Sequence, residues 1–109
     1  MKLHKHRIRR AKFYGIGYIS CIEKYVMYCV IKDENWQSRY YEITEEEYDL
    51  YSEKPKSLDE IADKFLEQGA KGKGFLFSDD RSENSKKQNA ILDECLEDEK
   101  NTKIKYIYF

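Results

Sequence analysis

His4 and His6 are the two histidines of this 109-residue chain. Two apart on an extended segment, they share a side, a spacing that lets both face one metal ion. Two nitrogens on a basic arm still fall short of the three or four ligands of a zinc site. Cys21, Cys29 and Cys95 are widely spaced with no CxxC pair, which argues against structural zinc. The cysteines lie within apolar runs, as small hydrophobes do. With both histidines near the N-terminus, no Cys-His or Ser-His nucleophile pair is expected. "GAKGKG", residues 69–74, lacks the GxxxxGK[ST] spacing and the strand-loop-helix order of a phosphate loop. Asp98-Glu99-Lys100 has the D-x-K form that nucleases place on a strand, but it falls at a predicted helix end. No enzyme, metal or cofactor is expected.

The remaining chemistry is charge. Residues 1–13 hold six cations and no acid. Taking those six from a net charge of −1 leaves −7 on residues 14–109, an asymmetry that points to a partner. Lys5, Arg7, Arg9, Arg10 and Lys12, followed by Phe13 and Tyr14, suit phosphates and stacked bases. The plainer reading is an edge strand whose cations discourage aggregation. The acidic side is richer. Glu34, Glu42, Glu45, Glu46 and Asp49 lie among Trp36, Tyr41 and Tyr48. Tyrosine and tryptophan are favoured interface anchors, and a negative field steers a basic protein toward them. The plainer reading makes the aromatics core and the acids a solvated face; as a group they read as a protein-binding surface. Asp33, Glu47 and Glu53 add to the field.

The elements that must position these residues follow from pattern. Residues 13–22 and 25–32 read as two strands joined at Glu23-Lys24. That tight turn pairs Cys21 with Val26 and Tyr18 with Cys29. Tyr14, Ile16, Tyr18, Ile22, Tyr25, Met27, Cys29 and Ile31 then share one face. Phe13, Ile19, Cys21, Val26, Tyr28 and Val30 share the other. Two apolar faces require either helices on both or a partner on one. Trp36–Ile43 predicts a third strand. Thr44 to Glu47 is a capping box, with Ile43 and Tyr48 as its hydrophobic staple, and Glu45 and Glu46 also suit the helix N-terminus. Pro55 ends that helix. Ser57 to Glu60 and Ser85 to Gln88 are two further capping boxes. Leu58, Ile61, Ala62, Phe65 and Leu66 mark an apolar helical face, and Gly69 is its C-terminal cap. A short strand at Phe75–Phe77, a helix through Ala90–Leu96 and a closing strand at Lys103–Phe109 complete the chain. The fold class is therefore α+β, a mostly antiparallel sheet with an N-terminal three-stranded meander in the order βββ-αα-β-α-β. One domain spans 1–109, with a basic arm over about residues 1–12.

Composition narrows the setting. Charged residues are 38 % of the chain and mean hydropathy is −0.89, as in a very soluble protein. Aromatics at 15 % argue against disorder. "FYGIGYISC" after the basic stretch imitates a lipoprotein signal, but Tyr14, Gly15, Gly17 and Tyr18 break its hydrophobic segment, so a strand is expected. No run reaches membrane-spanning length. Reduced cysteines in a cytoplasmic protein follow, as a monomer or homodimer.

Ile43-Thr44-Glu45-Glu46-Glu47-Tyr48 resembles the junction at which a tyrosine-containing strand enters a helix in small immunity proteins of bacterial toxin systems, the contact-dependent inhibition and polymorphic toxin families. The resemblance implies a single acidic α+β domain that neutralises a cognate toxin, with Glu34, Glu42, Glu45, Glu46 and Asp49 as the charged contacts and Trp36, Tyr41 and Tyr48 as the anchors of the partner-binding set. The toxin is often a nuclease with a basic groove, which such a protein occludes or offers a phosphate mimic. A phage-type inhibitor of a host nuclease or defence complex would use the same physics. A nucleic-acid-binding module acting through the basic arm is the alternative from another class.

Overall fold

A computed structural model describes residues 1–31 and 36–106, with 101–106 described by backbone alone. Strands β1 (His4–Arg9), β2 (Tyr14–Ile19), β3 (Lys24–Ile31) and β4 (Gln37–Ile43) run as a meander. Helices α1 (Glu45–Glu53) and α2 (Pro55–Gln68) follow, then β5 (Phe75–Ser78) and α3 (Lys86–Tyr106). The sheet order is β1-β2-β3-β4-β5, and every neighbouring pair is antiparallel. The fold is α+β, as expected.

Both faces of the sheet are apolar because helices cover both. Tyr14, Ile16, Met27, Cys29, Tyr41 and Ile43 meet Tyr48 of α1 and Leu58, Ala62 and Phe65 of α2. On the opposite face Ile19, Val26, Tyr40 and Phe77 meet Leu92 and Cys95 of α3. Tyr41 and Phe65 stack with ring centroids 4.4 Å apart and planes 2° from parallel.

The β2–β3 register differs from the expected one. Tyr18 lies opposite Tyr25, and Tyr14 opposite Cys29. The chain leaves β2 at Ile19 and turns through 20–23, with the Glu23 amide donating to the Ser20 carbonyl at 3.2 Å. Glu23 takes a left-handed φ of 53°, as three- to four-residue hairpin loops require. The slip is even, so the face of each paired residue survives. Cys21 and Ile22 leave the strand, and Ile22 packs on the α3 side instead of with Tyr14.

The helix starts divide. At Thr44 the capping box forms in both directions. At Ser85 the Oγ accepts from the Gln88 amide at 3.1 Å, and Gln88 Oε1 accepts from the Ser85 amide at 2.8 Å. The expected box at Ser57 is not made. Pro55 sits in the first turn of α2, where its fixed φ and missing N–H favour a start, so Ser57 is already helical. Gly69 caps α2 at φ 62°. The closing strand is also corrected: residues 103–106 continue α3, since no glycine or proline stops the helix after Ser85. Residues 107–109 lie outside the described part.

Residues 4–12 are no free arm but β1 and a 3-10 turn, Arg10–Lys12. A bulge lies between His4 and Arg7, with Lys5 at φ 53°. At this edge the carbonyls of Lys5 and Ile8 accept from the hydroxyls of Tyr48 and Tyr51. At the other edge the Asn84 side-chain amide meets both the N–H and the C=O of Ser78, at 2.7 and 2.8 Å. Side chains stand where further strands would pair, which blunts edge-to-edge association.

Candidate functional site

Among the described residues, no group of three or more His, Cys, Asp or Glu is placed to hold one metal ion. The distribution of charge is more informative. Of the five basic residues considered for nucleic acid, four are engaged with other elements. Lys5 Nζ lies 3.4 Å from the Tyr25 hydroxyl. Arg7 donates to Ser52 Oγ at 2.8 Å and lies over the rings of Tyr48 and Tyr51 at 5.7 and 5.3 Å. Lys12 pairs with Asp63 at 3.8 Å. Arg9 donates two bonds of 3.0 Å to buried Asp59, which also accepts from the Tyr14 hydroxyl at 2.7 Å. Arg9 and then Tyr14 hold the Asp59 carboxyl below its usual range against the opposing effect of burial, while burial first and Asp59 second push Tyr14 up. Strand β1 is thus fastened to α1 and α2 by its own cations. Arg10 alone of the five stands exposed without such a bond.

The acidic set separates into three groups. Glu45, Glu46 and Asp49 are exposed on α1, and their three- and four-residue spacing puts them on one side of it. None of them makes an ion pair with a described residue. Tyr48 and Tyr51 fix the opposite side of that helix to β1. Glu42 is also exposed but pairs with Lys24 at 3.1 Å. Tyr41 and Tyr48 are core residues, so they are unavailable as interface anchors. Tyr41 is the stacked partner of Phe65 and donates to the Gly69 carbonyl at 3.2 Å, and burial pushes its hydroxyl up to about 12. Trp36 is 58 % exposed but precedes β4, whereas α1 follows it. Seven strand residues put about 23 Å between them. Glu34 lies outside the described residues.

Trp36 belongs to a different surface. Its ring lies 6.2 Å from that of Phe13, which is 42 % exposed. Both residues adopt left-handed φ, 54° at Phe13 and 52° at Trp36, which is unusual for bulky side chains. A shallow hollow of about 290 Å³ beside Phe13 is lined by Ile8, Arg10, Tyr14, Tyr28 and Val30. Tyr28 can lie flat there because Gly15 is beneath it: a Cβ on Gly15 would stand 2.4 Å from the ring. His6 Nε2 is 2.7 Å from the Tyr28 hydroxyl, and burial lowers the His6 pKa. Phe13 was visible in the sequence only as a neighbour of the cations. The signal for this corner was the glycine alternation of "YGIGY", which leaves room for large side chains from adjacent strands.

No protein-family model, no curated protein and no solved structure matches this chain. Among the described residues no helix is long and apolar enough to cross a membrane.

Proposed function

We propose that the protein is a cytoplasmic binding protein that neutralises a basic protein partner, in the manner of the toxin-immunity proteins its strand-helix junction resembles. The surface is the outer side of α1, with Glu45, Glu46 and Asp49 as its charged contacts and Glu42 at its margin. One observation carries this reading. Most arginines of the fold are spent on internal carboxylates, Arg9 on Asp59, Arg39 on Glu83 and Arg81 on Asp93, while Glu45, Glu46 and Asp49 form no ion pair with a described residue. They sit on a helix held rigidly from behind, which lowers the entropy lost on binding. A nuclease with a basic groove is the partner class that fits this charge.

The test compares the wild-type chain with the triple variant E45K/E46K/D49K as baits in nuclease-treated lysate of the source cells. The expected result is one stoichiometric basic protein on the wild type and none on the variant. Loss of the favourable charge at the helix N-terminus should move the variant's melting temperature by no more than about 5 °C. Equal retention by both baits would discard the α1 surface.

A second reading rests on the aromatic corner. Arg10 beside Phe13, Tyr28 and Trp36 suits a stacked base and its phosphate. In that case a fluorescent single-stranded oligonucleotide binds with steep salt dependence, Arg10→Ala weakens it, and the triple α1 variant binds as tightly as wild type or more so.

A further inference from the structure

We propose that Cys21 and Cys95 form an oxidative modification site, which an oxidant of the peroxide class closes into a disulfide tying α3 to the β2–β3 turn. The two residues are far apart in sequence but adjacent in the fold. Ser20 Oγ donates to Asp98 Oδ2 at 3.3 Å, which seats the turn on α3. Cys95 is three residues before Asp98 and so faces the same way. It belongs to the buried cluster against which Cys21 packs. Both thiols are free, and the Ser20–Asp98 bond sets the residue after Ser20 against the turn of α3 that carries Cys95. Cys29 is free as well, but it points into the core beneath α2 on the opposite face of the sheet.

The environments divide the chemistry. Cys95 is 2 % exposed, and burial first and the neighbouring Cys21 next push its thiol up to about 12, so it is a poor first nucleophile. Cys21 is half-buried and reacts first. Its thiolate attacks one peroxide oxygen. An S–O bond forms, the O–O bond breaks, and the departing hydroxide becomes water by taking a proton, leaving a sulfenic acid. The Cys95 sulfur then attacks the Cys21 sulfur. An S–S bond forms, the S–O bond breaks, and the hydroxyl leaves as water with the Cys95 proton. Two thiols lose two electrons and one peroxide becomes two waters. A cleft of about 190 Å³ bordered by Leu3, Ile19, Ser20, Cys95 and Asp98 opens beside the turn that carries Cys21.

The cross-link closes a loop of about 75 residues, long enough for a large restriction of the unfolded chain. The test treats the purified chain with hydrogen peroxide, unfolds it in an alkylating agent, and reads intact mass, peptide map and melting temperature. The expected product has lost two hydrogens, alkylates only at Cys29, yields a Cys21–Cys95 peptide, and melts higher by about 10 °C or more, reversibly with dithiothreitol. Cys29→Ser should behave the same, and Cys21→Ser should give no intramolecular cross-link. A product stopping at sulfenic or sulfinic acid, a cross-link through Cys29, or an intermolecular dimer would overturn the assignment. So would a Cys21–Cys95 bond with an unchanged or lower melting temperature, because α3 would then not be tied.

Discussion

Helices cover both faces of the sheet, but the two faces are closed in different ways. On the α1–α2 face the core is continuous from β2 to β5, and polar groups seal its border at β1. Asp59 binds Arg9 and Tyr14, and the hydroxyls of Tyr48 and Tyr51 hold the backbone of β1. On the α3 face a single helix covers the sheet nearer β5, and the corner at Ile8, Phe13 and Val30 stays open. Among the described residues, three of the four exposed large hydrophobics, Ile8, Phe13 and Trp36, gather at that corner. Polar side chains at the border of the first face are consumed by the fold, whereas apolar surface on the second is left over. Large mutational effects on stability should therefore fall on the first face and small ones at the corner.

Two phenylalanines set the outer limits of this contrast. Phe65→Ala empties the space under the Tyr41 ring and should cost about 3–5 kcal/mol. Phe13→Ala removes a ring of the same size from the open corner and should cost less than about 1 kcal/mol. Urea denaturation of the two variants measures both, and equal costs would show that the corner is core.

Gly17→Ala should rank next. A Cβ there would stand 2.5 Å from Leu3 Cβ and 3.0 Å from the His4 carbonyl oxygen. The start of β1 would have to move, and overpacking of this kind costs about 1–3 kcal/mol.

Much of this arrangement was legible from local pattern. The face assignments of the paired residues, though not that of Ile22, survived a wrong register because the slip of Tyr18 from Cys29 to Tyr25 is even, and strand parity has a period of two. Thr44 and Ser85 were readable because a capping box needs only four adjacent residues. Ser57 misled because Pro55, two residues earlier, starts the helix better than a hydroxyl does. The closing strand misled because Tyr106 and Tyr108, two apart, read as period two, whereas residues 103–106 continue a helix that no glycine or proline interrupts. The site was less legible, since exposure is decided by distant partners. Tyr41 and Tyr48 look like interface anchors until Phe65 and the backbone of Lys5 are brought against them. The basic segment looks like an arm until Asp59, fifty residues away in sequence, is placed beneath Arg9.

Asp59→Asn tests the seal itself. The Asp59 pKa is depressed in the folded protein, by Arg9 first. Its stabilisation is therefore complete above the unfolded value of about 3.9 and is lost as pH falls through the lower folded value. Asp59→Asn should cost about 1 kcal/mol at neutral pH, the hydrogen-bond loss being moderated by solvent screening at Arg9, which is 34 % exposed. Below about pH 4 the two chains should converge, because protonation then removes the same charge from the wild type. Parallel stability curves down to pH 2 would mean that the Asp59 charge contributes nothing.

The smallest effect should come from Phe13→Gly, and its smallness is the point. At φ 54° and ψ 45° a side chain costs about 1 kcal/mol relative to glycine. Substitution relieves that strain, at the expense of the contact with Trp36 and of a more flexible unfolded chain. These contributions nearly cancel, so stability in urea should stay within about 0.5 kcal/mol of wild type. A residue kept in a strained conformation with no stability to show for it is under a constraint other than folding. If Phe13→Gly instead destabilised the protein as Gly17→Ala does, the ring would be a structural plug and the two faces would be closed alike.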